Sequence, residues 1–426
     1  MTTYLYPNKS EWGEIVKRPT FDNSQLRDLV SGLLQQIREG GDKVLRELEA
    51  KFDHCTLTDL QVSADEFAEA RRVIAPELAD AIDNASRNIH AFHASQKFDG
   101  VKVETQPGVV CWQKSIPIDK VGLYIPGGTA PLFSTVLMLA IPAKIAGCGE
   151  IVLCTPPNAE GKVNPAILYA ATVAGVTKVY KVGGVQAIGA LAYGTESVPK
   201  VYKIFGPGNQ FVQMAKQLVS LRDVAIDMPA GPSEVCVVAD ADADPEYVAS
   251  DFLSQAEHGA DSQAILVTDS EALAKKFETV MAAQLKLLKR QELTRKSLEH
   301  SKVIVLRDQD EVMELVNEYA PEHLILNTRN YATLADKVRN AGSVFLGPFS
   351  PESAGDYASG TNHTLPTNGY AKAYNGVNLD SYMRKVTFQE LSADGLRSLG
   401  PIIEVMAQNE QLDAHKNAVT VRLRNL

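Results

Sequence analysis

Between Asp251 and Gln263 the chain reads DFLSQAEHGADSQ. Gln255, His258 and Asp261 recur there at a spacing of three, and Glu257 stands beside the histidine. On a helix that spacing turns Gln255 and His258 to one side. An imidazole nitrogen and, more weakly, an amide oxygen can ligate a divalent cation. The same residues also suit a plain helix end, where a histidine before Gly259 sits well in the helix dipole. Spacing by itself favours that second reading. In YAPEHLIL, Glu322 and His323 follow Pro321 and lead into an apolar strand. An adjacent carboxylate and imidazole are general-base material, and they are equally a polar turn before a strand.

Two further stretches carry the same residue types. ESAGDYASGTNHTLPT supplies Glu352, Asp356 and His363, and EQLDAHKNAVT supplies Glu410 and His415. Four of the eight histidines therefore lie in acidic or amide-rich settings. The cysteines look different. Cys236 alternates into the strand pattern EVCVVA, and Cys148 and Cys154 flank another strand, so they read as small buried hydrophobes rather than nucleophiles.

Three glycine-containing turns, YIPGGTAP (124–131), VGGVQAIG (182–189) and FGPGNQF (205–211), each follow a strand pattern and precede a helix pattern. Backbone N–H groups and a helix dipole meet an anion or nucleotide at such places. Neither G-x-G-x-x-G nor G-x-x-x-x-G-K-[ST] occurs.

The elements that must position these groups follow an α/β alternation. From Val121 strand and helix patterns alternate every 25–30 residues or so, the length of a βα unit, which implies mostly parallel sheets covered by helices. The alternation resumes after AIDMPAGPSEVCVVAD, with a junction near AGPS (230–233). Asp244-Pro245 supplies an N-cap and first-turn proline for a helix running through His258. Upstream, 24–51 reads as a helix interrupted at Gly40-Gly41. Residues 77–97 read as a second helix, with Leu78, Ile82, Ala85, Ile89 and Phe92 inward and His90 and His93 on its polar edge. Residues 270–290 and 331–340 read as helices, 347–378 as a long ordered loop, and the last 40 residues as helical, ending in a strand-like AVTVRLRNL.

Bulk composition bounds the rest. Hydrophobic residues make up 45% and charged residues 22% of 426 positions, with 42 basic against 52 acidic side chains and a net charge of −10. That is a globular composition. No basic stripe grips phosphate backbones, so nucleic acid is not an expected partner. Five cysteines without a CxxC argue against a disulfide framework. No signal or transit pattern and no long apolar run is visible, so no membrane contact and a cytoplasmic location are expected.

The stretches IDMPAGPSEV, DFLSQAEHG, YAPEHL, GDYASGTNHTLPT and AHKNAVT together closely resemble the histidinol dehydrogenase family, nearly over the whole chain. The resemblance implies oxidation of L-histidinol through the aldehyde to L-histidine with two NAD+, a zinc ion in each subunit and an intertwined homodimer. It implies Gln255, His258, Asp356 and His415 as metal ligands, the last from the partner subunit, and Glu322 and His323 as the catalytic pair. Ser233, His363 and Glu410, with Gln255, His258, His323, Asp356 and His415, would contact substrate. Tyr124, Gln186 and Asn209, one in each glycine turn, would line the NAD site. It also implies two Rossmann-like, aldehyde-dehydrogenase-like α/β domains. One is discontinuous (22–123 with 235–377) and carries the metal and catalytic residues, and the other (124–234) takes NAD. Small terminal segments (1–21 and a helical 378–426) would serve dimer exchange.

On that assignment His323 is the base that removes the alcohol proton, since an imidazole titrates near neutrality. Glu322 would activate the water that the aldehyde needs before a second hydride can leave, where aldehyde oxidation through a thiolate would use cysteine. Four protein ligands plus the amine and imidazole of histidinol exceed zinc's usual four, so an expanded shell is expected.

Overall fold

The structure, a computed structural model, describes residues 1–19, 24–127 and 131–426. Gly128, Thr129 and Ala130 of the first glycine turn therefore lie outside the described residues. The strands are β1 (Thr2–Leu5), β2 (Val103–Gln106), β3 (Val109–Pro117), β4 (Lys120–Tyr124), β5 (Glu150–Thr155), β6 (Lys178–Lys181), β7 (Lys203–Phe205), β8 (Ala225–Ile226), β9 (Glu234–Ala239), β10 (Gln263–Thr268), β11 (Lys302–Val305), β12 (His323–Asn327), β13 (Ser343–Leu346) and β14 (Met383–Leu391). Two sheets are wholly parallel: β6-β5-β4-β7-β8 and β1-β11-β10-β9-β12-β13. Their inner strands, such as EVCVVA and QAILVT, are buried at every position. Burial on both faces is why they read as continuous apolar runs. The chain passes from one sheet to the other between Ile226 and Glu234, across the AGPS turn.

Side-chain packing differs from the grouping expected of 22–123. Val30, Leu34 and Ile37 of the helix Ser24–Phe52 pack with the five-stranded sheet, and so do Ile82 and Ile89 of the helix Pro76–Ala94. By packing, 24–94 goes with that sheet and not with the six-stranded one. The terminal strand β1 is an edge of the six-stranded sheet, in register with β11.

Four local readings are corrected. His93 is fully buried and Phe92 is 44% exposed. The buried stripe runs Ile82, Ala85, Ile89, His93, and the imidazole Nδ1 lies 2.9 Å from the Ile89 carbonyl oxygen, an acceptor that lets it enter the core. Residues 383–391, read as helix, form β14, which pairs antiparallel with β3 along nine residues of each. The AVTVRL part of AVTVRLRNL is helical, the end of Asp413–Leu423. Its β-branched residues are overridden by packing on the helix Ala393–Asn409, where Gly400 admits Leu423 and Val419 at a distance a Cβ would close. The helix expected over 331–340 is short, Tyr331–Ala335.

Candidate active site

A cleft of about 950 Å³ lies between the carboxyl ends of the five-stranded sheet and the amino ends of the six-stranded one. Gly206, Pro207, Gly208 and Asn209 after β7 face Ser233, His258, Glu322 and His363 across it. Gly206 has φ +130, and a Cβ there would meet the Tyr124 carbonyl oxygen at 2.1 Å, so the ends of β4 and β7 can meet this closely only with glycine.

The floor is built at the start of β9 and β12. The Glu234 N–H donates to Glu322 Oε2 at 2.8 Å, and Gln255 Nε2 donates to the same oxygen at 3.3 Å. His323 Nδ1 lies 3.2 Å from the Glu234 carbonyl oxygen. With a proton on Nδ1 that contact is a hydrogen bond and, in the neutral ring, Nε2 carries the lone pair; Nε2 is buried and without a hydrogen-bond partner. Glu234 is itself fixed by Arg18, whose guanidinium donates to both carboxylate oxygens at 2.6 and 2.7 Å and stacks 4.1 Å from the Tyr319 ring centroid. Sequence reasoning did not single out Arg18 or Glu234, because 216 residues separate them.

Beyond His323 lies a donor set for a cation. His258, Glu352 and Asp356 each offer an atom within 4.8 Å of the others. Glu352 is buried with neither carboxylate oxygen hydrogen-bonded, and Gln255 Oε1 is likewise buried and unpartnered. An uncompensated buried carboxylate is costly, so the cluster fits a divalent ion supplied with oxygen and imidazole donors. Burial pushes Glu352 up to about 8. Burial also works to raise Asp356, but the His323 imidazole, 3.6 Å away, wins and holds it below the usual carboxylate range. For His323, burial works downward, yet the Glu352 and Glu322 carboxylates lift it well above the ordinary imidazole value. A cation among Glu352 and Asp356 would counter those charges. Burial lowers His363, whose Nδ1 lies 2.8 Å from the Asp356 carbonyl oxygen and whose Nε2 lies 3.1 Å from Thr135 Oγ1. Within the stretch expected as a long loop, Glu352 and Asp356 stand on the short helix Glu352–Tyr357, and nothing local in the sequence distinguishes Glu352.

The expected site residues fall into three places. Gln255, His258, Glu322, His323, Asp356, His363 and Ser233 converge at the cleft and its floor, with Asn209 on the opposite wall. Tyr124 and Gln186 meet elsewhere. Tyr124 Oη accepts from the Gly184 N–H at 3.2 Å, and Gln186 Nε2 donates to Glu49 Oε1 at 3.3 Å. Glu410 and His415 lie exposed on the C-terminal helices and do not line the cleft. Cys55, Cys148, Cys154 and Cys236 are buried, and burial pushes the Cys148 and Cys236 thiols up to about 12. Among the described residues no helix is long and apolar enough to cross a membrane.

A family model described as histidinol dehydrogenase matches residues 16–423. The chain is 64% identical over 426 residues to a histidinol dehydrogenase of Bacteroides fragilis (strain YCH46), covering all of both chains. It is 53% identical over 416 residues to that of Escherichia coli (strain K12), covering 97% of this chain and 95% of the relative. A crystal structure of histidinol dehydrogenase from Elizabethkingia anophelis superposes with a TM-score of 0.98 at 52% identity, covering 100% of this chain and 98% of the other.

Proposed function

The chain belongs to the histidinol dehydrogenase family of oxidoreductases in histidine biosynthesis, and from that premise we propose that it oxidises L-histidinol to L-histidine in two NAD-dependent steps at a zinc-bearing cleft. The observation that carries this reading is the pairing of Glu322 with a His323 whose Nε2 is buried and unpartnered beside the His258–Glu352–Asp356 cluster. When bound, the cation would fix the amine and imidazole of the substrate and the nicotinamide would accept the hydride.

The chain's own residues supply the proton chemistry. His323 Nε2 takes the hydroxyl proton as the first hydride leaves, while Glu234 holds the ring in the tautomer that exposes this nitrogen. Glu322 has one oxygen engaged by the Glu234 N–H and offers the other to a water, which adds to the aldehyde carbon before the second hydride departs. Gln255, His258 and Asp356 hold the metal with His415 from a partner subunit, and Ser233, His363 and the partner-borne Glu410 orient substrate. Support for that dimer comes from the C-terminal helices, which expose Ile402, Val405, Met406 and Leu412. Tyr124, Gln186 and Asn209 line the NAD path along the carboxyl edge of the five-stranded sheet. The proposed domain division assigns this edge to a cofactor-binding unit and the six-stranded sheet to a catalytic one. A cytoplasmic location belongs to the same reading.

The test is stoichiometry with Glu322→Gln. The wild type forms two NADH per histidine. The variant keeps an oxygen for the Glu234 N–H but loses the base. It is expected to release one NADH and accumulate trappable aldehyde, the second step slowing about 10²–10⁴-fold. A wild type that makes no NADH from L-histidinol would sink the proposal.

A further inference from the structure

Counted from β4 as first, the parallel strands β6-β5-β4-β7-β8 stand in the order 3-2-1-4-5. That is the order of a dinucleotide-binding sheet, in which an acidic side chain at the carboxyl end of the second strand takes the ribose of the adenosine. Here the second strand, β5, runs out through Thr155-Pro156-Pro157-Asn158, and no acid stands there. Proline offers a flat apolar wall but no acceptor for a hydroxyl.

A carboxylate reaches the same place from another element. Asp53 follows directly on the helix Ser24–Phe52. A Cβ built on Gly183 would lie 3.4 Å from Asp53 Oδ2 and 2.6 Å from Pro156 Cβ, so the Asp53 carboxylate sits beside the ends of both β5 and β6. A cleft of about 530 Å³ opens there, with Asp53, Gly127, Pro156, Pro157 and Leu168 among its walls. Behind Asp53, one helical turn earlier, Glu49 is wholly buried. Its Oε1 accepts from the Gly183 N–H at 3.0 Å and from Gln186 Nε2 at 3.3 Å, while its Oε2 has no hydrogen-bond donor. The lysines nearby are engaged: Lys162 pairs with Glu69 at 3.3 Å and Lys181 with Glu66 at 2.7 Å. The cleft thus joins apolar walls to the Asp53 carboxylate, which suits hydroxyls and opposes phosphate.

We propose that Asp53 is a specificity-determining residue for the dinucleotide: its carboxylate accepts hydrogen bonds from the adenosine ribose hydroxyls of NAD and repels the 2′-phosphate of NADP. The proposal rests on the reading that NAD binds along this sheet edge. The fold has moved the ribose acid from the second strand to a preceding helix, which is why no strand-borne fingerprint is visible in the sequence.

The experiment compares kcat/KM for NAD and NADP with L-histidinol in the zinc-loaded wild type, Asp53→Asn and Asp53→Ala. Competition by ADP and by 2′,5′-ADP is measured alongside, and melting curves confirm folding. In the wild type NAD is expected to be preferred. Asp53→Ala should raise KM for NAD about 10- to 100-fold with kcat nearly kept, the worth of a hydrogen bond to a charged group. Both variants should shrink the NAD-to-NADP preference at least tenfold and let 2′,5′-ADP compete as well as ADP. Wild-type turnover with NAD together with an unmoved preference in both variants would overturn this proposal and leave the functional reading standing. Absence of any NAD turnover in the wild type would overturn the functional reading itself, and this proposal with it.

Discussion

Replacing Glu49 by Gln should stabilise the protein, and the gain should grow with pH. Burial, and after it the neighbouring Asp53 carboxylate, pushes Glu49 from the ordinary 4.5 up to about 8. Tyr124, Cys55 and Cys154 also face it. The native state therefore binds the proton more tightly than the unfolded chain. For such a group the stability is fully present below the unfolded value, near 4.5, and is lost as pH rises through about 8. Between those limits the slope approaches 1.36 kcal/mol per pH unit, so full ionisation costs roughly 5 kcal/mol. Glutamine fills the same volume. Its oxygen can keep the bonds from the Gly183 N–H and Gln186 Nε2, and its amide can donate toward Asp53. The variant has no ionisation to lose. Melting temperatures of the two proteins, measured by scanning fluorimetry from pH 5 to pH 9, should nearly coincide at the acid end and separate steadily to about pH 8.5, with the variant higher. A separation that stays flat across that range, or a variant that melts lower at alkaline pH, would refute the assignment of a buried, proton-retaining carboxylate at this position.

Two more outcomes follow from the catalytic cleft. If His415 reaches the partner's site, mixing Glu322→Gln and His415→Ala subunits, each impaired in histidine formation, regenerates one complete site in each hybrid dimer. Random pairing then returns about a quarter of the wild-type rate of histidine formation, whereas no recovery would place His415 in its own subunit's site. Zinc at a hundredfold excess over its dissociation constant should stabilise the wild type by about 2.7 kcal/mol, and Asp356→Asn should lose most of that gain. An equal rise in melting temperature in both proteins would remove Asp356 from the ligand set.

What the sequence made legible followed burial. Strands covered on both faces announced themselves as apolar runs, and the βα spacing implied their parallel order. The β3–β14 ribbon was not legible. VVCWQKSIP and MRKVTFQEL are amphipathic and charged, and 266 to 282 residues separate the residues they pair, so neither stretch shows a partner on its own. His93 failed for a related reason. A histidine on a helix reads as polar until the partners that satisfy it are known, and these are its own helix's carbonyl, which accepts at Nδ1, and the Asn362 amide of a distant segment, whose Nδ2 donates to Nε2. At the site, Gln255, His258, Glu322 and His323 could be named from local pattern and family resemblance. The residues that hold them could not, because Arg18, Glu234 and Glu352 become neighbours of the pair only when strand starts and the long loop are brought to one edge.

The opposition of two sheet edges gives the cleft an electrostatic logic. In a parallel sheet the covering helices run against the strands, so helix amino ends gather at the carboxyl edge and helix carboxyl ends at the amino edge. The helix Gln210–Ser220, capped by Asn209, thus brings its positive end to the cleft from the five-stranded sheet. The helix Pro245–Ala256 brings its negative end from the six-stranded sheet, with Gln255 in its last turn and His258 just beyond. One wall favours an anion and the other favours a cation. A single doubly wound sheet cannot supply both, since its carboxyl edge presents only helix amino ends. Two sheets turned edge to opposite edge can, and Glu322 and His323 stand at the β12 start where the two fields meet.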